Sequence, residues 1–281
     1  MAPLVWLITG TSSGFGLAFV YSILAHGDKA IATARTLSKI KHLQDSGAEI
    51  MQLDVTAPQL ELDEKIKQAI AFYGHVDVLI NNAGYMQTGN WEDLSHEDLL
   101  AIFNTNVFGP INLTRSILPH FREQQAGTLV FIGSSAAWQG NPGISAYNGT
   151  KNALQGMVEG LQQEVLPFGI KTLLVEAGSF RTSLLDPRNV NMASAKFEAY
   201  EEYNTCLKGV IKSLNGTQVG DTPKGVKFIV DAVKGEGWAE GKEVPFRLIL
   251  GADGLKTVMD KAKEVITLCE KWGDAFSSTD L

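Results

Sequence analysis

Strand-like and helix-like stretches alternate along nearly the whole chain, and this alternation restricts the fold more than any single motif does. A strand followed by a helix and then another strand must cross over, so the strands lie parallel in an α/β sheet. The strand-like runs are Leu4 to Thr9, Lys29 to Ala34, Glu49 to Leu53, Val76 to Ile80, Thr128 to Gly133, Lys171 to Glu176 and Val244 to Leu250. A helix is expected from about Gly14 to His26, and long amphipathic patterns run from about His96 to Phe121 and from Ser145 to Phe168. No repeat or low-complexity linker interrupts them, so residues 1–281 read as one domain. The stretch from Ser183 to Asp221 breaks the alternation, mixing apolar and polar residues without an evident sheet partner. It would follow the C-terminal end of the sixth strand, the edge at which open parallel sheets bind ligands. It therefore reads as a lid over a substrate, with an inert surface excursion as the alternative.

Composition excludes several classes of function. A formal net charge of −7 argues against a nucleic-acid surface. No uninterrupted apolar run approaches a membrane span, and the N-terminus enters a strand-like run with no charged leader, so a cytoplasmic protein is expected. Cys206 and Cys269 lie far apart with no metal-ligand spacing, which suits reduced thiols, and no metal site is expected.

Between the first strand and the first helix lies Thr9-Gly10-Thr11-Ser12-Ser13-Gly14-Phe15-Gly16. Glycines let a backbone turn tightly against a pyrophosphate, and a helix N-terminus supplies unpaired N–H groups and a favourable dipole. A glycine-rich turn alone often serves only close packing. Its place in a strand–turn–helix at the start of an alternating chain points to a dinucleotide, with Gly10, Ser12, Ser13, Gly14, Phe15 and Gly16 as contacts. A carboxylate at the end of the second strand would bind the adenosine ribose diol and repel a 2′-phosphate. Here the strand ends Ala32-Thr33-Ala34-Arg35 with no acid, and the Arg35 fork suits a phosphate. NADP(H) is therefore expected ahead of NAD(H), which stays possible. Asp54, with Val55 beside it, either accepts from the adenine amino group or caps the helix beginning near Ala57.

Tyr147 and Lys151 are four residues apart, so a helix places phenol and ammonium on one face. A free phenol has a pKa of about 10. A cation ~4 Å away, at an effective dielectric near ~20, would stabilise the phenolate by about 4 kcal/mol, roughly three pKa units. By itself Y-x-x-x-K is more often solvated helix decoration.

Taken together, the loop from Thr9 to Gly16, Asn81-Asn82-Ala83-Gly84, Asn106, Ser134, Tyr147, Lys151 and Gly178 through Thr182 resemble the short-chain dehydrogenase/reductase family, in order, over about Leu4 to Thr182. The resemblance implies a doubly wound Rossmann fold: a seven-stranded parallel sheet in the order 3-2-1-4-5-6-7 with helices on both faces. It also implies hydride transfer between a nicotinamide and a carbonyl or alcohol. Tyr147 would be the general acid/base, and Lys151 would lower its pKa and hold the nicotinamide ribose. Ser134 would hydrogen-bond the carbonyl oxygen and Asn106 would hold a water linking Lys151 to solvent. Ser134 is preferred to Ser135 because it lies thirteen residues before Tyr147, at the family's offset. Asn82, Ala83, Gly84, Gly178, Phe180 and Thr182 would complete the cofactor contacts. Two departures stand out: Ala177 where proline is usual, leaving the following loop and Thr182 less rigidly held, and Gly149 where alanine or serine is usual.

The side chains expected to face the nicotinamide are mostly apolar: Tyr85, Met86, Trp138, Pro142, Phe180, Leu184 and Leu185, each of which would otherwise be core. With Ser134 and Tyr147, Trp138 and Leu184 are the expected substrate contacts. A hydrophobic ketone, aldehyde or secondary alcohol fits this set, and Arg181 and Arg188 are the cations nearest it in sequence. The pattern is similar to carbonyl reductases and to hydroxysteroid- or retinol-type dehydrogenases. Oxidation of an alcohol and non-catalytic dinucleotide sensing are the other readings. A homodimer or homotetramer through the two long helices is a further expectation from the resemblance.

Overall fold

A strand buried on both faces can be apolar throughout, and Val5-Trp6-Leu7-Ile8 is. The computed structural model describes residues 2–187 and 189–281, so Arg188 lies outside the described residues. The main strands are β1 (Val5–Ile8), β2 (Lys29–Ala34), β3 (Glu49–Gln52), β4 (Val78–Asn81), β5 (Gly127–Ile132), β6 (Ile170–Ala177) and β7 (Arg247–Leu250). They form one sheet in the order β3-β2-β1-β4-β5-β6-β7, every neighbouring pair parallel, as expected.

Alternate residues of β1 feed two cores. Trp6 and Ile8 point to one face, where α1 (Gly14–Ala25) contributes Phe19 and Ile23, and α7 (Thr222–Lys234) contributes Val226 and Ile229. Val5 and Leu7 point to the other, where Ile66 of α2 (Gln59–Tyr73), Ile117 of α4 (Gly109–Gln124) and Val158 of α5 (Ser145–Val165) pack. The two faces enclose the sheet and leave only the strand ends open. Because β1 pairs with both β2 and β4, the strand order reverses there and a crevice opens at their C-terminal ends.

Four features differ from the sequence-based expectation. The run from His96 to Phe121 is not one helix. α3 (His96–Phe103) passes through a π-helical turn at Asn104–Phe108 before α4 begins. Pro110 has no N–H to offer the carbonyl four residues back, that of Asn106, so the regular bond is missing at this turn, whereas Pro119 sits inside α4 without interrupting it. The segment from 183 to 221 does have a sheet partner. Val190–Met192 pairs in parallel with Met86–Thr88, and Phe180 bridges to Gly220. The same segment carries the helix α6 (Glu201–Leu214). Finally, α8 (Ala252–Ser277) follows β7 with no strand after it to announce it. Gly149 leaves α5 unbroken.

α1 lies so close to the loop that feeds it that a Cβ on Gly16 would stand 2.3 Å from the carbonyl oxygen of Gly10. Gly16→Ala is therefore expected to destabilise the fold by about 1–3 kcal/mol. Gly160 of α5 has nothing within 4 Å of an added Cβ, and Gly160→Ala is expected to stabilise by up to about 1 kcal/mol. Thermal melts of the two variants check this; equal midpoints would mean that the turn accommodates the extra methyl.

Candidate active site

Gly10 and Gly14 adopt φ of +71° and +56°, and the turn between them aims α1 at the crevice. Ser13 stands at the N-cap, yet its side chain makes no capping bond, and the first turn of α1 has no acid. The first amides and the positive end of the helix dipole therefore remain free for an anion. The loop is braced by the turn after β4. The Asn82 side-chain amide donates to the carbonyls of Thr9 (2.8 Å) and Gly10 (3.1 Å), and Thr9 Oγ1 accepts from the Asn82 and Ala83 amides. A Cβ on Gly10 would lie 2.9 Å from Ala83 Cα. This is the cradle a pyrophosphate requires, and the residues fit the cofactor implied by the sequence.

One cavity of about 1190 Å³ runs from this cradle in two directions. Toward the end of β2 it is lined by Ala34, Arg35, Leu53, Asp54, Val55 and by Lys39, a second cation not singled out from the sequence. Asp54 does not cap α2, whose N-cap is Pro58. Its carboxylate accepts instead from the amide and hydroxyl of Thr56, at 2.9 and 2.7 Å, leaving the adenine reading open.

In the other direction the cavity reaches Ser134, Tyr147 and Lys151. The Lys151 ammonium donates to the Ile132 carbonyl at 2.7 Å and lies 5.7 Å from the Tyr147 ring centroid. Both side chains are buried. Burial depresses the Lys151 pKa to about 8. It also raises the Tyr147 phenol above its ordinary range, opposed by a hydrogen bond with Ser134. The shift of the phenol is thus opposite to the lowering expected from lysine: burial outweighs the Ser134 hydrogen bond, and a backbone carbonyl holds the ammonium. Ser134 Oγ also donates to the Ala177 carbonyl, at 3.3 Å, which ties it to the loop after β6.

Asn106 is buried behind these groups and does not line the cavity. Its Oδ1 accepts from the Tyr85 amide at 3.1 Å, while Nδ2 donates to the Tyr85 carbonyl (3.0 Å) and Thr150 Oγ1 (3.3 Å). The side chain thus joins the π-helical turn to Tyr85, just ahead of the strand Met86–Thr88, and to α5. Gly16, expected as a cofactor contact, likewise lies behind the wall, where it packs on Gly10.

The loop after β6 supplies Gly178, Phe180 and Thr182. The Phe180 ring lies 5.2 Å from that of Phe15, tilted by 58°, and a Cβ on Gly14 would lie 3.2 Å from Thr182 Cβ. The substrate side is largely apolar: Met86, Pro142, Leu184 and Leu185 line it with Tyr85, while Gln139, Asn141, Asn189 and Asn191 add polar groups to the same cavity. Trp138 does not. Its indole N–H donates to the buried Glu176 carboxylate at 2.8 Å, next to Arg247, so it braces β6 and β7 from behind. Arg181 spends its guanidinium on the Gln218 carbonyl. The sequence reading missed α6, whose Tyr203, Leu207, Val210 and Leu214 face the cavity. Their spacing of four, three and four is a helical stripe that was there to be read.

Among the described residues no helix is long and apolar enough to cross a membrane, and no His/Cys/Asp/Glu group is placed to hold a metal ion. The oxidoreductase BOA17 of Botryotinia fuckeliana is 34% identical over 95% of this chain and 96% of its own. Human retinol dehydrogenase 8 is 35% identical over 70% of this chain and 65% of its own. The crystal structure of a short-chain dehydrogenase from Streptomyces avermitilis is 36% identical, covers all of both chains and superposes with a TM-score of 0.88. The family model for short chain dehydrogenases matches residues 4–193, across the cradle, Ser134, Tyr147 and Lys151. This chain belongs to the short chain dehydrogenase family.

Proposed function

We propose that the protein is an NADP(H)-dependent reductase of hydrophobic ketones or aldehydes, with Tyr147 as the general acid. The observation that carries this is a single cavity holding the free end of α1 and Arg35 at one end, and Ser134, Tyr147 and Lys151 at the other. A nicotinamide dinucleotide supplies the hydride when bound. The Gly10–Phe15 cradle, with Asn82, Ala83 and Gly84 beside it, would hold its phosphates. Arg35 and Lys39 face the place a 2′-phosphate would take, and no carboxylate at the end of β2 opposes it. Ser134 donates to the substrate oxygen, Tyr147 gives that oxygen its proton, and Lys151 supplies positive charge from behind. Asn106 joins α5 to Tyr85, and would hold the water that links Lys151 to solvent.

Oxidation of an alcohol would run through the same residues in reverse; for reduction, a phenol with a raised pKa holds at neutral pH the proton that the substrate oxygen takes. The apolar wall, extended by α6, supports a hydrophobic substrate, as does similarity to a protein named for retinol. We read the segment from 183 to 221 as the lid of this pocket. The exposed Phe108, Met157 and Leu166, in or beside the two long helical runs, support a homo-oligomer.

With NADPH and a panel of hydrophobic ketones, Tyr147→Phe is expected to lose about 10²- to 10⁴-fold in kcat while still binding NADPH. Tight cofactor binding without turnover by wild type would favour the sensor. Arg35→Asp is expected to move the kcat/KM ratio toward NADH; an unchanged ratio would assign 2′-phosphate recognition elsewhere. A raised phenol pKa keeps the acid form as pH rises. Reductive kcat is therefore expected to be level through neutrality and to fall above about pH 8, where Lys151 loses its charge. A fall beginning below pH 7 would mean that a different group gives the proton.

A further inference from the structure

The loop from Gly178 to Thr182 lines the cavity, yet its own sequence does little to stiffen it, since Ala177 leaves φ free where proline would hold it. It is held by a distant part of the chain, at a residue that also lines the cavity. Asp253, in the first turn of α8, accepts from the Ser179 amide through Oδ2 at 2.7 Å, across 74 residues of sequence. The Gly178 amide donates to the Leu250 carbonyl at 2.9 Å. Gly178 is also where α8 comes closest: a Cβ there would lie 2.3 Å from Asp253 Oδ1 and 2.7 Å from the Gly254 nitrogen. On the opposite side the Gly220 amide donates to the Ser179 carbonyl at 2.9 Å. Asp253 Oδ1 is buried without a hydrogen-bond partner. Burial would raise this carboxyl's pKa, but the Ser179 donors and the backbone N–H groups of the helix start outweigh it and hold it below the usual range. The carboxylate therefore stays charged at neutral pH.

We propose that Asp253 is a positioning residue for cofactor binding: its carboxylate fixes the Gly178–Ser179 backbone at the cavity wall, a constraint that proline at position 177 would otherwise supply. The effect reaches the phosphate cradle by direct packing, because Phe180 lies on Phe15 and Thr182 on Gly14. A C-terminal helix beyond the residues matched by the family model thereby contributes to the dinucleotide site. The inference rests on the dinucleotide reading under Proposed function.

The test is fluorescence titration with NADPH, together with KM and kcat, for wild type, Asp253→Asn, Asp253→Ala and Asp253→Ala/Ala177→Pro. Loss of a hydrogen bond to a charged acceptor corresponds to about tenfold weaker NADPH binding in Asp253→Ala, with kcat at saturation little changed. Asp253→Asn keeps an oxygen that accepts from Ser179, and is expected to bind nearly as wild type does. Adding Ala177→Pro is expected to recover part of the loss. Asp253→Ser, which keeps a helix-starting residue but is too short to reach Ser179, replaces the alanine variant if that one does not fold. Unchanged NADPH affinity in the alanine or serine variant would overturn the proposal. So would a loss of kcat and melting temperature with the cofactor KM unmoved, or no recovery from the added proline. Wild type binding neither NADPH nor NADH would overturn the cofactor reading itself.

Discussion

A parallel sheet packed on both faces leaves only its strand ends accessible, and the chemistry of this chain is confined there. α1 and α7 cover one face of the sheet, while α2, α4 and α5 cover the other. The loops at the C-terminal edge must then meet one another backbone to backbone. They do so because glycine stands at the closest approaches: Gly10 against Ala83, Gly16 against Gly10, and Gly178 against Asp253. A side chain at any of the three would separate elements that together form a single cavity wall.

Within that wall burial governs the electrostatics. One face of α5 carries both Tyr147 and Lys151, as helical spacing requires, but proximity alone does not decide which charge is stabilised. Taking both groups out of water disfavours phenolate and ammonium alike. The ammonium is left with a pKa of about 8 and a carbonyl to donate to, while the phenol keeps its proton, with Ser134 within hydrogen-bonding reach. Such a phenol can give a proton to an oxygen, and the same groups in reverse can take one from an alcohol.

Much of the fold was legible because it is written in local periodicity. Strand burial on both faces makes continuous apolar runs, and β2 begins and ends where its run does. What could not be read lies where the signal is short or cancelled. Val190–Met192 is three residues long, too short for a period of two to register. The π-helical turn around Asn106 keeps the hydrophobic pattern of a helix, and Pro110 does not by itself mark a break, since Pro119 lies inside intact α4. The site divides in the same way. Gly10, Gly14, Ser134, Tyr147 and Lys151 come together as their motifs imply. Trp138 was expected in the pocket as one of a mostly apolar set facing the nicotinamide. Glu176, on a different strand, offered its indole a buried acceptor and turned it away.

The sequence by itself determined a parallel α/β sheet, a glycine turn leading into a helix with a free N-terminus, a strand end without an acid, and a phenol and an amine on one helical face. Each follows from residues within a few turns or a few pleats of one another, where geometry is set by covalent connection. Tertiary structure alone decided that burial raises the phenol's pKa, that Asp54 binds Thr56, that α6 closes the apolar wall and that Asp253 reaches Ser179. These depend on which distant segments pack together and how much water they exclude, and local spacing carries no record of either.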